Sequence, residues 1–81
     1  MSNDLVIKDI NNEIIKKSEA EYEGKENIII ENVKDCKIYL PFNIKSLYVK
    51  NISNCQIFAG CISGASFINL ALDCQLHLSS H

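Results

Sequence analysis

The sequence predicts an all-β protein that folds as a short parallel β-helix with about 19 residues in each rung. Three cysteines, Cys36, Cys55 and Cys74, are evenly spaced along the chain and mark a 19-residue repeat, and self-similarity at a fixed period is typical of solenoids. The residues around each cysteine alternate between apolar and polar with a period of two, which indicates strands. Such short strands cannot close a core alone, so we expect equivalent strands to stack and bury a continuous interior.

The repeat places apolar residues at the same positions of successive copies. The clearest columns are Val33, Ile52 and Ala71; Ile38, Ile57 and Leu76; and Leu40, Ala59 and Leu78. The segments Asn27 to Glu31 and Lys37 to Leu40 are rich in Ile, Tyr and Leu, which favour strands. We expect residues 32–35 to form a turn between them, and each rung to hold about three short strands joined by tight corners.

Residues 1–26 do not follow the 19-residue repeat. The stretches Leu5 to Ile7 and Ile14-Ile15 are apolar, whereas Glu19 to Glu26 is an acidic connection. Because a solenoid needs capped ends, we expect residues 1–26 to be an irregular N-terminal segment that adds one or two strands and caps the first rung. Residues 27–81 are expected to form the rungs themselves.

The third copy of the repeat is only partly complete where the sequence stops at Ser79-Ser80-His81. Unpaired backbone groups of an open strand edge are a template for pairing with another chain. We therefore expect an exposed edge at this end of the β-helix, with self-association through the open rung as one possible role.

Composition and charge exclude several classes of function. The net charge is −2, whereas phosphate binding needs a clustered excess of basic residues, so we expect no nucleic-acid partner. No segment approaches the roughly 20 apolar residues of a membrane span. The N-terminal residues also lack the pattern of a secretory signal, and we therefore expect a cytoplasmic protein with reduced thiols.

The repeated cysteines are predicted to be stacked, buried thiols. Cys36 and Cys74 would lie two rungs apart, roughly 9.6 Å, which is too far for one zinc ion with sulfur ligands at about 2.3 Å. A disulfide between neighbouring rungs is compatible with the distance but not with a reducing compartment. Cys61 has no flanking base, and His77 and His81 have no neighbouring nucleophile. We predict no catalytic residue, no metal and no cofactor.

Two further columns point outward and carry aromatic side chains. They are Tyr39, Phe58 and His77 in one column, and Ile29, Tyr48 and Phe67 in the other. Ladders of this kind stabilise stacked strands, but contiguous exposed apolar area also marks interaction sites. Both interpretations stay open, and the candidate partner-binding residues are Tyr39, Phe58, His77, Tyr48 and Phe67.

Four motifs together resemble a known family. They are Tyr-Glu-Gly-Lys at 22–25, the stretches 30–40 and 46–57, and the glycine-containing corner 58–68, which is followed by Asp73-Cys74. From Gly24 onward the sequence is similar to the cofactor C domain family, which includes tubulin-binding cofactor C and the X-linked retinitis pigmentosa GTPase activator. The resemblance implies a right-handed parallel β-helix whose partner is tubulin or an Arf-like small GTPase.

Members of this family activate GTPases through an Arg in a Gln-x-Arg-x-His motif, which would begin just after His81. Gln75-Leu76-His77 lies half a rung too early, and all eight basic residues of the chain are Lys. Lys is a poor geometric substitute for the arginine that stabilises the transferring phosphoryl group. We therefore expect a binding domain that does not activate GTP hydrolysis by itself. The alternatives are an actin-binding β-helix of the cyclase-associated protein type and a purely structural, self-associating β-helix.

Overall fold

The computed structural model describes residues 4–78, which wind into a parallel β-solenoid of eight strands and one short helix. The strands are β1 (Asp4–Asn11), β2 (Ile14–Lys16), β3 (Asn27–Lys34), β4 (Lys37–Ile44), β5 (Ser46–Ser53), β6 (Gln56–Ile62), β7 (Ser66–Leu72) and β8 (Gln75–Leu78), and helix α1 is Glu19–Tyr22. Sheet I has the order β1-β3-β5-β7 and sheet II the order β2-β4-β6-β8. All neighbours are parallel, and the later rungs keep the register of the 19-residue repeat, except at the end of β4, where the register shifts by one residue after Leu40 and Asn43 pairs with Cys61. The predicted β-helix is confirmed.

Each rung contains two strands, not the three short ones expected. Strand β3 runs through Asn32 to Lys34, although Asn32 has a φ of 53°. Asn tolerates this left-handed conformation, so the chain bends at Asn32 while Val33 and Lys34 stay paired with the next rung. The turn falls at Asp35, which has a φ of 54°. The segment predicted as a turn is therefore mostly strand.

The bends of successive rungs are linked through side-chain amides. The Nδ2 of Asn51 donates a hydrogen bond to Oδ1 of Asn32 over 2.5 Å, and Nδ2 of Asn32 donates to Oδ1 of Asp9 over 3.2 Å. These hydrogen bonds satisfy the polar side-chain groups at the bend, which favours Asn and Asp at this position of each rung. The fourth rung departs from this pattern because Leu70 occupies the same position, with a φ of 55°.

Residues 4–26 form a first rung that is in register with the second, where an irregular segment was expected. Leu5 pairs with Ile28 and Ile7 pairs with Ile30, so this rung is longer than the later ones. The additional residues of the first rung are equal in number to those of helix α1, which lies between β2 and β3. A search with a fixed period of 19 cannot detect this rung. The division of the chain at residue 26 and a capping role for the first segment stay predictions.

The core lies between the two sheets and consists of the inward columns of the repeat. Its most deeply buried side chains include Ile28, Ile30, Ile38, Leu40, Ile44 and Leu47. Tyr22 packs at one corner, where its ring stacks on Phe42 with centroids 5.2 Å apart. The Tyr22 hydroxyl donates to the carbonyl of Glu26 over 2.6 Å and accepts from the backbone N–H of Lys45 over 2.8 Å. The ring and hydroxyl together tie the α1 corner to the second rung.

The apolar columns are uncovered on the fourth rung. Ile68 continues the column of Ile30 and Val49, yet its side chain is 51% exposed, and Leu78 is 48% exposed. Within residues 4–78, β7 and β8 are the last strands of their sheets, so no strand packs beyond them. As for the membrane, the part of the chain described here has no helix long and apolar enough to span one.

Candidate partner-binding surface

Sheet II carries a stack of three rings on its outer face. The centroids of Tyr39 and Phe58 are 4.9 Å apart with planes inclined by 8°, and those of Phe58 and His77 are 4.7 Å apart with planes inclined by 9°. Lys16 extends the column on the first rung, with its Nζ 5.9 Å from the Tyr39 ring centroid. We call this column, Lys16-Tyr39-Phe58-His77, the sheet II ladder. It runs across all four rungs.

The register of the strands explains this stacking. Lys16 pairs with Tyr39, Tyr39 with Phe58, and Phe58 with His77, and parallel neighbours lie about 4.8 Å apart. That spacing matches the separation of stacked rings, so each ring lies over the next. The alternation of the strands points these side chains away from the core, where Tyr39 and Phe58 are half-buried by their neighbours and His77 is exposed.

Sheet I carries a shorter ladder. Tyr48 and Phe67 stack with centroids 5.1 Å apart and planes inclined by 10°, and Val6 and Ile29 continue the column on the first two rungs. Tyr48 is 39% exposed and Phe67 is 55% exposed. The five sequence-predicted residues thus lie in the two columns that the repeat predicts, one on each sheet.

The two outer faces differ in charge. The face of sheet I mixes signs, because Glu31 lies between Lys8 and Lys50 in one column. On sheet II, the charged side chains at outward positions of the described strands are Lys16 and Lys37, with no carboxylate among them. The described strands of sheet II thus present lysines without carboxylates on their outer face, whereas Asp35 and Asp73 lie in the turns that precede β4 and β8.

A polar column lies beside the sheet II ladder. Lys37, Gln56 and Gln75 pair in sequence along it, each two residues before a ring of the ladder. The Oε1 of Gln75 and the Nε2 of His77 lie 3.1 Å apart, within hydrogen-bonding distance. Lys and Gln side chains both supply N–H donors, so this column offers donors alongside the aromatic rings.

A groove flanks the other side of the ladder. Its volume is about 260 Å³, and its lining includes Tyr39, Pro41, Phe58 and Gly60. Gly60 is required there because a Cβ at this position would lie 2.6 Å from the carbonyl oxygen of Phe42 on the neighbouring strand. The glycine corner noted in the sequence thus allows β6 to approach β4 closely and leaves space beside Phe58.

The repeated cysteines form an inward column. Cys36 and Cys55 are buried, whereas Cys74 on the fourth rung is half-buried. Each thiol donates to the carbonyl two residues before it over 3.1 Å, and burial raises the pKa of the Cys55 thiol. A high pKa disfavours the reactive thiolate. Because Cys36 and Cys55 are both buried in the core, they act as small packing residues.

Sequence reasoning missed Lys16 and Lys37 as part of the surface. Lys16 lies in the first rung. Because this rung is longer than 19 residues, a search for a 19-residue repeat does not align Lys16 with Tyr39. Lys37 was predicted only to be a strand residue. If rungs of different length are allowed, the sequence of the first rung aligns with that of the second and places Ile15 beside Ile38. Of the two histidines considered, His77 belongs to the ladder and His81 lies outside the described residues.

The sequence matches the model of a known protein family. The family model for tubulin binding cofactor C matches residues 25–81, which is more than half of the sequence and includes rungs two to four. No curated protein and no solved structure gives a significant match. The matched range begins where the 19-residue repeat begins, and it includes the aromatic residues of both ladders.

Proposed function

The chain belongs to the tubulin binding cofactor C family, and we propose that it is a non-catalytic protein-binding domain linked to tubulin folding or small-GTPase regulation. The observation that carries the proposal is the family match over residues 25–81, because the β-solenoid fold alone fixes no function. A tubulin or Arf-like GTPase partner would place the protein in the cytoplasm.

The aromatic ladders support a binding role. Protein interfaces are enriched in aromatic residues that are partly exposed and clustered. Tyr39, Phe58 and His77 on sheet II, and Tyr48 and Phe67 on sheet I, are the candidate contact residues. Their stacking holds the rings in fixed positions, so little side-chain entropy is lost when a partner binds.

The proposed role does not include activation of GTP hydrolysis by this chain alone. An arginine finger accelerates hydrolysis roughly 10³- to 10⁵-fold by stabilising charge on the transferring phosphoryl group. The 81-residue sequence contains eight lysines and no arginine, and the compact ammonium of Lys cannot reproduce the bidentate contact of a guanidinium.

Binding and hydrolysis can be measured together. Purified αβ-tubulin and an Arf-like GTPase are titrated with the chain in a calorimeter, and GTP turnover is followed in parallel. We expect saturable binding to one of them with turnover unchanged. Absence of binding to both would refute the partner assignment, and a tenfold rise in turnover would refute the non-catalytic role.

Self-association is a second candidate function that one observation favours. Strand β7 carries Phe67, Ile68, Leu70 and Leu72, each more than half exposed, and it is the last described strand of sheet I. Exposed apolar edge strands pair readily with other chains. Sedimentation velocity over a range of concentrations tests this role: a mass that rises with concentration supports it, and a constant monomer mass contradicts it.

A further inference from the structure

We propose that the outer face of sheet II, and not that of sheet I, is the docking surface, and that it binds an extended acidic segment of a partner in which a carboxylate residue lies two positions from an aromatic one. The inference rests on the proposed protein-binding function and names the chemistry of the partner. The choice between the faces rests on their charges, because sheet I also has an apolar groove beside its ladder, lined by residues that include Ile29, Tyr48 and Phe67. The column spacing and the groove of sheet II then define the partner's sequence.

The charge of the face selects an acidic partner. Lys16 and Lys37 are exposed, and the outward positions of the described sheet II strands hold no carboxylate. Asp35 and Asp73 lie in the turns before β4 and β8, at the end of the face farther from the rings, where they line the same cavity as Lys37 and Gln56. The positive charge of the face therefore lies on Lys16 and Lys37, next to the aromatic ladder.

Opposite charges across an interface steer association and suppress wrong partners. On sheet I, Glu31 pairs in register with both Lys8 and Lys50, so that face has no such preference.

The spacing of the columns defines the partner's sequence pattern. The polar column of Lys37, Gln56 and Gln75 is two residues away from the ring column of Tyr39, Phe58 and His77 along each strand. An extended peptide that lies along the strands also repeats its face every two residues. A carboxylate over Lys37 and Gln56 therefore places the side chain two residues on over Tyr39 and Phe58.

The groove beside the ladder fits an aromatic side chain. It is lined by Tyr39 and Phe58 on one side and by Pro41 and Gly60 on the other, and its volume is about 260 Å³. Aromatic side chains bury large apolar areas and stack favourably against other rings. A Phe two residues after a Glu that lies over Lys37 and Gln56 would pack on the rings of Tyr39 and Phe58, which form the near wall of this groove, and this arrangement defines the Glu-x-Phe pattern.

A protein segment fits this face better than a nucleic acid does. Affinity for a nucleic-acid backbone grows with the number of phosphates that Lys and Arg neutralise, and this face has two lysines. The remainder of the chain is acidic enough to give a net charge of −2, which disfavours a long polyanion. A short segment with few carboxylates and apolar side chains between them avoids that repulsion.

The test uses the 81-residue chain and a fluorescent synthetic peptide that repeats Glu-Gly-Phe-Gly, with a Lys-Gly-Phe-Gly peptide for comparison. We expect the acidic peptide to bind and the basic one not to bind, by fluorescence anisotropy. The Lys16→Gln/Lys37→Gln pair should weaken binding at least tenfold. The matched Lys8→Gln/Lys50→Gln pair, with the same change of charge on sheet I, should leave it within twofold.

Three results would overturn the inference: no binding of the acidic peptide, equal losses in the two variant pairs, or equally tight binding of a single-stranded oligonucleotide. Titration of αβ-tubulin and the Arf-like GTPase with both pairs separates this inference from the proposed function. If one of those proteins binds and the Lys16→Gln/Lys37→Gln pair has no effect on it, the inference fails and the proposed function stands. If neither binds but the peptide behaves as expected, the proposed function fails alone.

Discussion

The imidazole ring of His77 lies flat over the ring of Phe58, with centroids 4.7 Å apart and planes inclined by 9°. Phe58 makes an equivalent contact with Tyr39 on its other side. Phe58 is therefore the centre of two stacked pairs, whereas Phe67 on sheet I takes part in one, with Tyr48. We therefore expect ring stacking to contribute more to the free energy of unfolding in the sheet II ladder than in the sheet I ladder.

Replacing the central ring should destabilise the fold more than replacing the terminal one. Phe58→Ala removes two stacked pairs and a half-buried side chain, and we expect it to lower the free energy of unfolding by about 2–3 kcal/mol. Phe67 is 55% exposed, so Phe67→Ala should lower it by about 1 kcal/mol. Urea denaturation measures both. Equal losses would show that stacking in the sheet II ladder contributes nothing of its own.

Leu70 should be a site where the fold can be stabilised. Its φ of 55° disfavours a bulky L-residue by roughly 1–2 kcal/mol, whereas Asn adopts this conformation more readily. Asn at position 70 would also extend the row of Asn32 and Asn51 side chains. We expect Leu70→Asn to raise the free energy of unfolding by about 1 kcal/mol.

The matched control for this substitution is Leu72→Asn. Leu72 lies on the same strand and is 68% exposed, comparable with 64% for Leu70, but it is not among the residues with positive φ. We expect Leu72→Asn to change the free energy of unfolding by no more than about 0.5 kcal/mol. If both variants shift the urea midpoint alike, the backbone conformation of Leu70 is not the cause.

Gly60 should not tolerate a side chain. A Cβ at position 60 would lie 2.6 Å from the carbonyl oxygen of Phe42, and backbone atoms on a paired strand cannot move aside cheaply. We expect Gly60→Ala to lower the free energy of unfolding by about 1–3 kcal/mol, measured by thermal and urea unfolding. An unchanged stability would mean that the close approach of β4 and β6 is not required.

The stability of the protein should fall at alkaline pH, partly because of Cys55. Burial raises the pKa of this thiol, so the unfolded chain loses its proton first as the pH rises. In that window the folded state binds more protons than the unfolded state, and the free energy of unfolding decreases with pH. The contribution of Cys55 to the free energy of unfolding is complete below the ordinary pKa of a thiol, roughly 8.5. It is lost as the pH rises through the pKa that Cys55 has in the folded protein.

A comparison with Cys55→Ala isolates this contribution from the titration of lysines and tyrosines. Urea unfolding under reducing conditions from pH 7 to pH 10 gives the slope of stability against pH for each protein. We expect a shallower decline above roughly pH 8.5 for Cys55→Ala than for the unsubstituted chain. Parallel curves would show that the thiol keeps the same pKa when the chain unfolds.

The sequence was sufficient to predict rungs two to four because most of their equivalent residues follow a 19-residue repeat; the exception is the end of β4, where the register shifts by one residue after Leu40. The first rung escaped prediction because helix α1 makes its offset longer than that of the later rungs. The number of strands was wrong for a different reason: Asn32 and Asn51 take a left-handed conformation inside strands that continue to pair on both sides. Local turn chemistry does not distinguish such a bend from the end of a strand.

The ladder residues could be predicted for the same reason as the core, since stacking follows from the repeat. Their division into two columns also follows from the repeat, but the assignment of the columns to different sheets depends on where each rung bends. The basic character of the sheet II face also required the three-dimensional register, since Lys16 and Tyr39 are distant in the chain and adjacent in the sheet.

The most direct test of sheet II as the docking surface is the affinity of αβ-tubulin or the Arf-like GTPase for the unsubstituted chain and for the two lysine-pair variants. We expect one of these proteins to bind the unsubstituted chain, Lys16→Gln/Lys37→Gln to weaken that binding at least tenfold, and Lys8→Gln/Lys50→Gln to leave it within twofold. Binding that is insensitive to the first pair, or lost equally with both, would contradict this expectation.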